Sequence, residues 1–508
     1  MVVKCKSLGL FGIDSYPIEV EADLSKGIPS FDVVGLPDIA VKESRDRVRS
    51  AIKNCGLEFP NLHIIVNLAP ADIKKEGPIY DLPILVAILK ASGQIYADVS
   101  DCAFIGELSL SGDVRGVNGV LPMAISARQQ NIKNLFIPFE NASEGAVVEG
   151  INILPVKNIF ELLDHFRNAK TILPVKYSKD FVSANESILD FSQVKGQEQA
   201  KRALEIAAAG GHNVLLIGSP GAGKSMLAKR VVTILPDMTF EETIETTKIH
   251  SIAGVLKKGE GLVTRRPFRS PHHNVSSVGL TGGGTNPKPG EISLAHNGVL
   301  FLDELPEFSR SALESLRQPL EDSRVSISRA HGTYTYPSSF MLIAAMNPCP
   351  CGFYNHPTHA CKCTENAVNR YLSRISGPLL DRIDIHIEVP PVDYEDLSAK
   401  SGEEESAKIR ERVNKARCIQ NERFKNTCIT SNAHIDASVF DKVCVMDDKA
   451  NILLKNAFEK LSLTARAYDR VLKVARTIAD LEGSEVIKTE HISEAIQYRT
   501  LDRKYWKR

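Results

Sequence analysis

The run Gly218-Ser219-Pro220-Gly221-Ala222-Gly223-Lys224-Ser225 has the residue types and spacing to hold a nucleoside triphosphate. Glycines without a Cβ let backbone N–H groups face phosphate oxygens, and a helix starting at Lys224 adds its positive end. The Lys224 ammonium can reach the β- and γ-phosphates, and the Ser225 hydroxyl can ligate Mg²⁺. ATP and Mg²⁺ are therefore the expected cofactors. The run GVLFLDELPEF (298–308) supplies the carboxylates: Asp303 to support the metal, and Glu304 to polarise a water against the γ-phosphate. Asn347 closes another apolar run, in IAAMNP, where a carboxamide can help to orient that water. RISGPLLDRIDIHIEVP (374–390) offers Arg374 and Arg382, either of which could reach a neighbouring subunit's γ-phosphate. A surface ion pair is the plainer use of both.

A second chemistry lies in CPCGFYNHPTHACKC (349–363). Cys349, Cys351, Cys361 and Cys363 form two C-x-C pairs, whereas the rest of the ten cysteines are scattered, so a disulfide scaffold is not expected. Four thiolates suit tetrahedral Zn²⁺, with His356 and His359 between them as substitute ligands. Four protein ligands leave no open position, so a zinc here would be structural; free or redox-active thiols are the alternative. The clip follows Asn347 directly and would brace its loop.

A third group could meet a polyanion. TRRPFRSPHHNVSS (264–277) gathers Arg265, Arg266, Arg269, His272 and His273, and the hairpin-like RVSISRAHGTYTYP (324–337) carries Arg324, Arg329, His331, Tyr334 and Tyr336. Cations interleaved with aromatics suit a phosphate backbone and stacked bases. Ion pairs for the arginines and core packing for the tyrosines are the competing uses.

The elements that must position these groups are legible at low resolution. Residues 1–170 alternate strand-like runs (62–69, 134–139) with helical ones (40–56, 81–93), an α/β pattern. Residues 171–190 lose periodicity and read as a linker. In 191–395 a helical run (197–210) precedes the strand NVLLIG, the phosphate loop and a helix, and further buried strands follow at 298–303 and 339–346. Residues 396–508 turn helical. At 508 residues with 62 cationic and 62 acidic side chains, the chain is multi-domain and not basic overall, so any DNA must meet a local surface. The N-terminal run MVVKCKSLGLFGID has no apolar signal-like core, and LPILVAIL (82–89) is too short to span a bilayer. A cytoplasmic protein without a membrane partner is expected.

In this order, phosphate loop, Asp-Glu strand end, strand-terminal Asn, arginine and helical C-terminal region resemble an AAA+ ATPase. RPFRSPHH (266–273), GGGTNPKPGEISLAHNGVLFLDELPEF (282–308), AAMNPCPCG (344–352) and YLSRISGPLLDRIDIHIEVP (371–390) together resemble the magnesium-chelatase-like AAA+ proteins of the ComM/YifB family, over nearly the whole chain. That resemblance implies an AAA+ core of parallel sheet and flanking helices with a helical lid. It implies that Asn347 is sensor 1, Arg382 rather than Arg374 the arginine finger, and Arg466, in LTARAYDRVL, the sensor 2 arginine. It further implies a hexameric ring with ATP sites between subunits, and inserts carrying Arg265, Arg266, Arg269, Arg329 and His331 that face a central pore.

Residues 62–90 and 103–140 are similar to the proteolytic domain of Lon, whose Ser–Lys dyad is replaced here by Ile79, after Gly77-Pro78, and Met123. A Lon-like fold without protease chemistry is expected, with Lys74 and Lys75 as solvated or anion-facing cations. The combined expectation is an ATP-driven motor on branched or single-stranded DNA, a branch-migration helicase of the kind used in natural transformation. A chelatase-type subunit serving metal insertion into a tetrapyrrole and a protein-remodelling ATPase are the competitors.

Overall fold

The computed structural model describes residues 2–177, 189–329, 332–356, 358–392, 403–427, 429–436, 438–461 and 464–506. They fall into two units, one of Met1–Asn185, Phe240–Thr264 and Ser328–Tyr336, the other of Glu186–Thr239, Arg265–Ile327 and Pro337–Arg508. Most of the expected linker at 171–190 lies outside the described residues.

The first unit is built on a mixed seven-stranded sheet. Its order is Ser30–Val34, His63–Ala69, Asp14–Ser25, Val3–Phe11, Cys102–Phe104, Asn134–Pro138 and Asn152–Val156. Val3–Phe11 and Asp14–Ser25 form an antiparallel hairpin, and the last three strands run parallel. Helix Ile39–Asn54 starts where the Asp38 carboxylate accepts the Val41 N–H. Helix Asp81–Ala91 is buried along nearly its whole length and has no polar face to offer solvent. The two positions of the absent dyad, Ile79 and Met123, are packed in this core. Lys75 departs from the expectation of a solvated cation: its side chain is fully buried, its ammonium donates to the Ile73 carbonyl at 2.8 Å, and burial lowers its pKa.

Helix Phe240–Ala253 belongs to this unit although it follows the phosphate loop in sequence. The reason is a buried carboxylate. Glu144 accepts hydrogen bonds from the Ser251 hydroxyl, from the Leu121 N–H at 2.7 Å and from the Asn141 amide at 3.0 Å, while burial pushes its pKa up. Leu262 and Ile244 pack on the same core.

The second unit carries a five-stranded, wholly parallel sheet in the order Phe268–Arg269, Val299–Leu302, Met341–Met346, Val214–Ile217, Ile385–Glu388. The three central strands, VLFL, MLIAAM and VLLI, are buried at every residue, as parallel strands covered on both faces must be. Because all run the same way, their carboxyl ends share one edge, where ligands of such sheets collect. Helix Glu198–Gly210 leads in and stops at Gly211, whose φ of 73° suits glycine at a helix end. The C-terminal region supplies helices Ser406–Arg423, Asp448–Leu461, Ala465–Leu481 and Thr489–Gln497, all four of which contribute to the core of this unit. No helix among the described residues is long and apolar enough to cross a membrane.

Candidate nucleotide site

The phosphate loop, Asp303 and Asn347 each follow a strand of the parallel sheet at the shared edge. Strand Val214–Ile217 pairs with Met341–Met346 in the register Ile217↔Met346, so the phosphate loop and Asn347 emerge side by side. Strand Val299–Leu302 lies on the other flank of Met341–Met346 and delivers Asp303. Gly221 and Gly223 take φ values of 80° and 91°, and a Cβ at either would meet nothing within 4 Å. These two residues leave the open concavity that a phosphate chain needs.

Lys224 is folded into the loop. Its ammonium donates to the carbonyls of Gly218 at 2.7 Å and Ser219 at 2.9 Å, and to the Asn347 amide oxygen at 3.1 Å. Burial lowers its pKa, while the carboxylates of Asp303 and Glu304 act in the opposite direction. The Ser225 hydroxyl donates to Asp303 at 2.6 Å. A hydroxyl and a carboxylate converging beside the loop fit Mg²⁺, which takes few protein oxygens and the phosphates of its substrate.

Glu304 differs from its neighbours in backbone as well as in position. Its φ of 54° places a non-glycine residue in the left-handed region, at a cost of about 1–2 kcal/mol. This turns the side chain outward, half-exposed, where it meets His273 Nδ1 at 3.2 Å. By sequence His273 groups with the polyanion-binding loop. The parallel pairing of Phe268–Arg269 with Val299–Leu302 puts it beside the candidate water-activating carboxylate instead.

The arginines divide. Arg374 pairs with Glu307 at 2.8 Å and donates to the Pro306 carbonyl, bracing the loop after Glu304. Arg382 is largely buried, held by the Pro378 carbonyl at 2.6 Å and by Glu321. Arg466, in the first turn of helix Ala465–Leu481, is exposed. Arg382 and Arg466 line one cavity of about 380 Å³, together with Arg470 and Lys473, and no phosphate-loop residue borders it. Asp384 at its floor is held well below the usual carboxylate range: Arg470, His212 and the Asn213 N–H overcome its burial.

A second cavity, of about 780 Å³, adjoins the phosphate loop and is lined by Ser219–Gly223, Val194, Pro390 and, from the cysteine segment, Phe353, His356 and His359. Sequence reasoning missed this use of the aromatic residues inside the clip. The clip itself is assembled, with the Cys349, Cys351, Cys361 and Cys363 sulfurs all within 4.8 Å of one another. The separations 3.4, 3.6 and 3.7 Å among the first three match the edge of about 3.8 Å of a tetrahedron with metal–sulfur bonds of ~2.3 Å. The residues therefore fit a zinc ion. His356 and His359 stand on the cavity rather than in that cluster.

The residues grouped for DNA differ in burial and in their partners. Arg269 makes a two-pronged ion pair with Glu291, both bonds 2.7 Å. Arg266 donates to the carbonyls of Pro236, Asn297 and Asp237. Both brace the loop in this chain, the ion-pair use that competes with presentation to a polyanion. Tyr336 is buried, as the core-packing alternative has it, whereas Tyr334 is half-buried against the exposed ring of Phe11 at 4.7 Å. Arg265 and Arg329 are exposed, and His331 lies outside the described residues.

Comparison with known proteins agrees with this architecture. Residues 190–397 match the family model for magnesium chelatase, subunit ChlI; residues 20–141 match that for the ChlI subunit of Mg-chelatase, and 403–499 that for the ChlI C-terminal region. The chain is 45% identical to competence protein ComM of Haemophilus influenzae, over 97% of this chain and 96% of that one. It is 43% identical to the uncharacterized protein YifB of Escherichia coli, with the same coverage. Lon protease 2 of Bacillus subtilis is 32% identical over 126 residues, 24% of this chain and 22% of that one.

Proposed function

Since the chain belongs to the ComM/YifB family of magnesium-chelatase-like AAA+ ATPases, we propose that it is a cytoplasmic, ring-forming motor that spends ATP on moving DNA. The finer reading is a hexameric branch-migration helicase of the kind used in natural transformation. The observation that carries it is likeness along the whole chain to a competence protein. The two cavities support the multi-subunit part. Among the described residues, the lining of the cavity beside the phosphate loop includes no arginine, while Arg382 and Arg466 line a separate cavity. An arginine finger and a sensor 2 arginine placed so would act on a neighbour's γ-phosphate.

Within one site Ser225 and Asp303 would hold Mg²⁺, which would supply neutralisation of the charge on the phosphates. Lys224 binds the β- and γ-phosphates, Glu304 takes up the proton of the attacking water, and Asn347 orients that water. His273 steadies Glu304 between turnovers. Cys349, Cys351, Cys361 and Cys363 would hold a zinc ion of structural kind, with all four positions taken by protein ligands.

The exposed arginines Arg265 and Arg329 are the ones assigned to the DNA backbone. Forked DNA binding in the presence of an ATP analogue is expected to weaken steeply with salt, with a log–log slope of roughly −0.7 per phosphate contact on single strands. Arg329→Ala should flatten the slope and weaken binding alike across sequences, because backbone contacts carry no base information. Arg269→Ala, which strands Glu291, should lower the melting temperature and leave the slope alone. An unchanged slope in Arg329→Ala, with the ring intact, would remove that residue from the DNA path. A chelatase-type role is the second reading, favoured by the descriptions of the matching models.

A further inference from the structure

The cysteine clip lies against the nucleotide site, and its contact with the phosphate loop is very close. Gly352 sits between Cys351 and Phe353 with φ 83°, and a Cβ there would come within 2.4 Å of the Pro220 ring. Phe353 follows Cys351 by two residues, so the clip fixes the main chain at the point where Phe353 departs. From there the Phe353 ring stacks on His359 with centroids 5.1 Å apart and planes 20° from parallel, and His356 stands edge-on to His359 at 4.9 Å. This aromatic stack is one wall of the 780 Å³ cavity beside the phosphate loop; Val194 and Pro390 belong to its remaining lining. The cavity holds far more than a phosphate chain requires. A flat π-surface beside an apolar lining is the chemistry that receives a nucleobase.

We infer that the metal-loaded four-cysteine clip completes the nucleotide pocket, presenting Phe353 and His359 as the wall on which the base of the nucleotide packs, so that occupancy of the clip by a thiophilic divalent cation sets nucleotide affinity. The inference rests on the reading that Gly218–Ser225 binds the phosphates. Its logic is mechanical. The wall hangs between the two halves of the clip, Cys349–Cys351 and Cys361–Cys363, so it has a fixed shape only while the four sulfurs are tied together. Losing the cation frees both ends of the wall at once, whereas the phosphate loop is secured independently by the parallel sheet.

The test uses the full-length protein and two probes: ATPγS, which carries a base, and inorganic tripolyphosphate, which does not. Affinities are measured by calorimetry on zinc-loaded protein, on protein stripped by a chelator and checked for zinc content and folding, and on zinc-loaded Phe353→Ala. The expected result is one zinc per chain and a loss of about tenfold or more in ATPγS affinity in both altered forms. Tripolyphosphate affinity should stay within about twofold in Phe353→Ala, because a stacked base is all that this variant removes. Full ATPγS affinity in Phe353→Ala overturns the wall, and full affinity in folded, zinc-free protein overturns the dependence on metal. If stripping unfolds the protein, Phe353→Ala and His359→Ala decide alone, since they keep all four cysteines. Lys224→Ala separates the underlying reading: if it binds both probes normally, the phosphate-loop assignment fails, whatever the clip does.

Discussion

Replacing Glu304 by Gln is expected to leave ATP bound and to slow hydrolysis by about 10²–10⁴-fold, the range a positioned general base contributes. The amide keeps the side chain's shape, and the half-exposed, left-handed position of Glu304 imposes little packing cost on the exchange. Lys224→Ala should fail earlier, at binding. The ammonium would make charge-assisted bonds to phosphate worth about 1.5–3 kcal/mol each, roughly ten- to hundredfold in affinity. It also ties together the Gly218 and Ser219 carbonyls and Asn347, so the loop itself should loosen. Nucleotide affinity and single-turnover hydrolysis, measured on both variants, separate these outcomes. Turnover near that of the unchanged protein in Glu304→Gln would remove Glu304 from the chemistry.

Arg382→Ala carries the next largest expected effect, a fall in turnover of about 10³-fold or more with little loss of binding, as for an arginine finger. Because Arg382 lines a cavity without phosphate-loop residues, the loss should be repairable from outside the subunit. Mixing Arg382→Ala with Lys224→Ala chains creates some junctions with an intact loop on one side and an intact arginine on the other, and activity should return there. Differently tagged chains, co-purified to prove mixing, make the experiment decisive. No recovery at any ratio would assign Arg382 to its own subunit, where Glu321 already holds it.

How much of this could be read in the chain depends on whether position was set locally. The phosphate loop, Asp303 and Asn347 each directly follow a short apolar run, and those runs are the buried strands Val214–Ile217, Val299–Leu302 and Met341–Met346. One apolar window with its flanking residues was enough. The α/β character of both regions was legible for the same reason. What strand order decides was not. His273 was read with its basic neighbours, yet sheet pairing carries it to Glu304, and nothing in RPFRSPHH encodes that partner. Arg269 looked available because Glu291 is distant in sequence, although together they make a two-pronged pair. Helix Phe240–Ala253 joins the first unit through Glu144, a carboxylate from a different part of the chain. For Tyr336 a local signal did exist. Its strand Gly332–Pro337 alternates, and the residues along it differ in burial with that period.

The central claim is that ATP hydrolysis at this site is spent on DNA, and the rate of hydrolysis under different effectors tests it most directly. The full-length protein would be given ATP and Mg²⁺ with forked DNA, with a porphyrin or with an unfolded protein, and Glu304→Gln would supply the background. The account predicts stimulation by forked DNA and by neither of the others. Stimulation by the porphyrin or the unfolded protein, with forked DNA inert, would contradict it and move the motor to a chelatase-type or a protein-remodelling role.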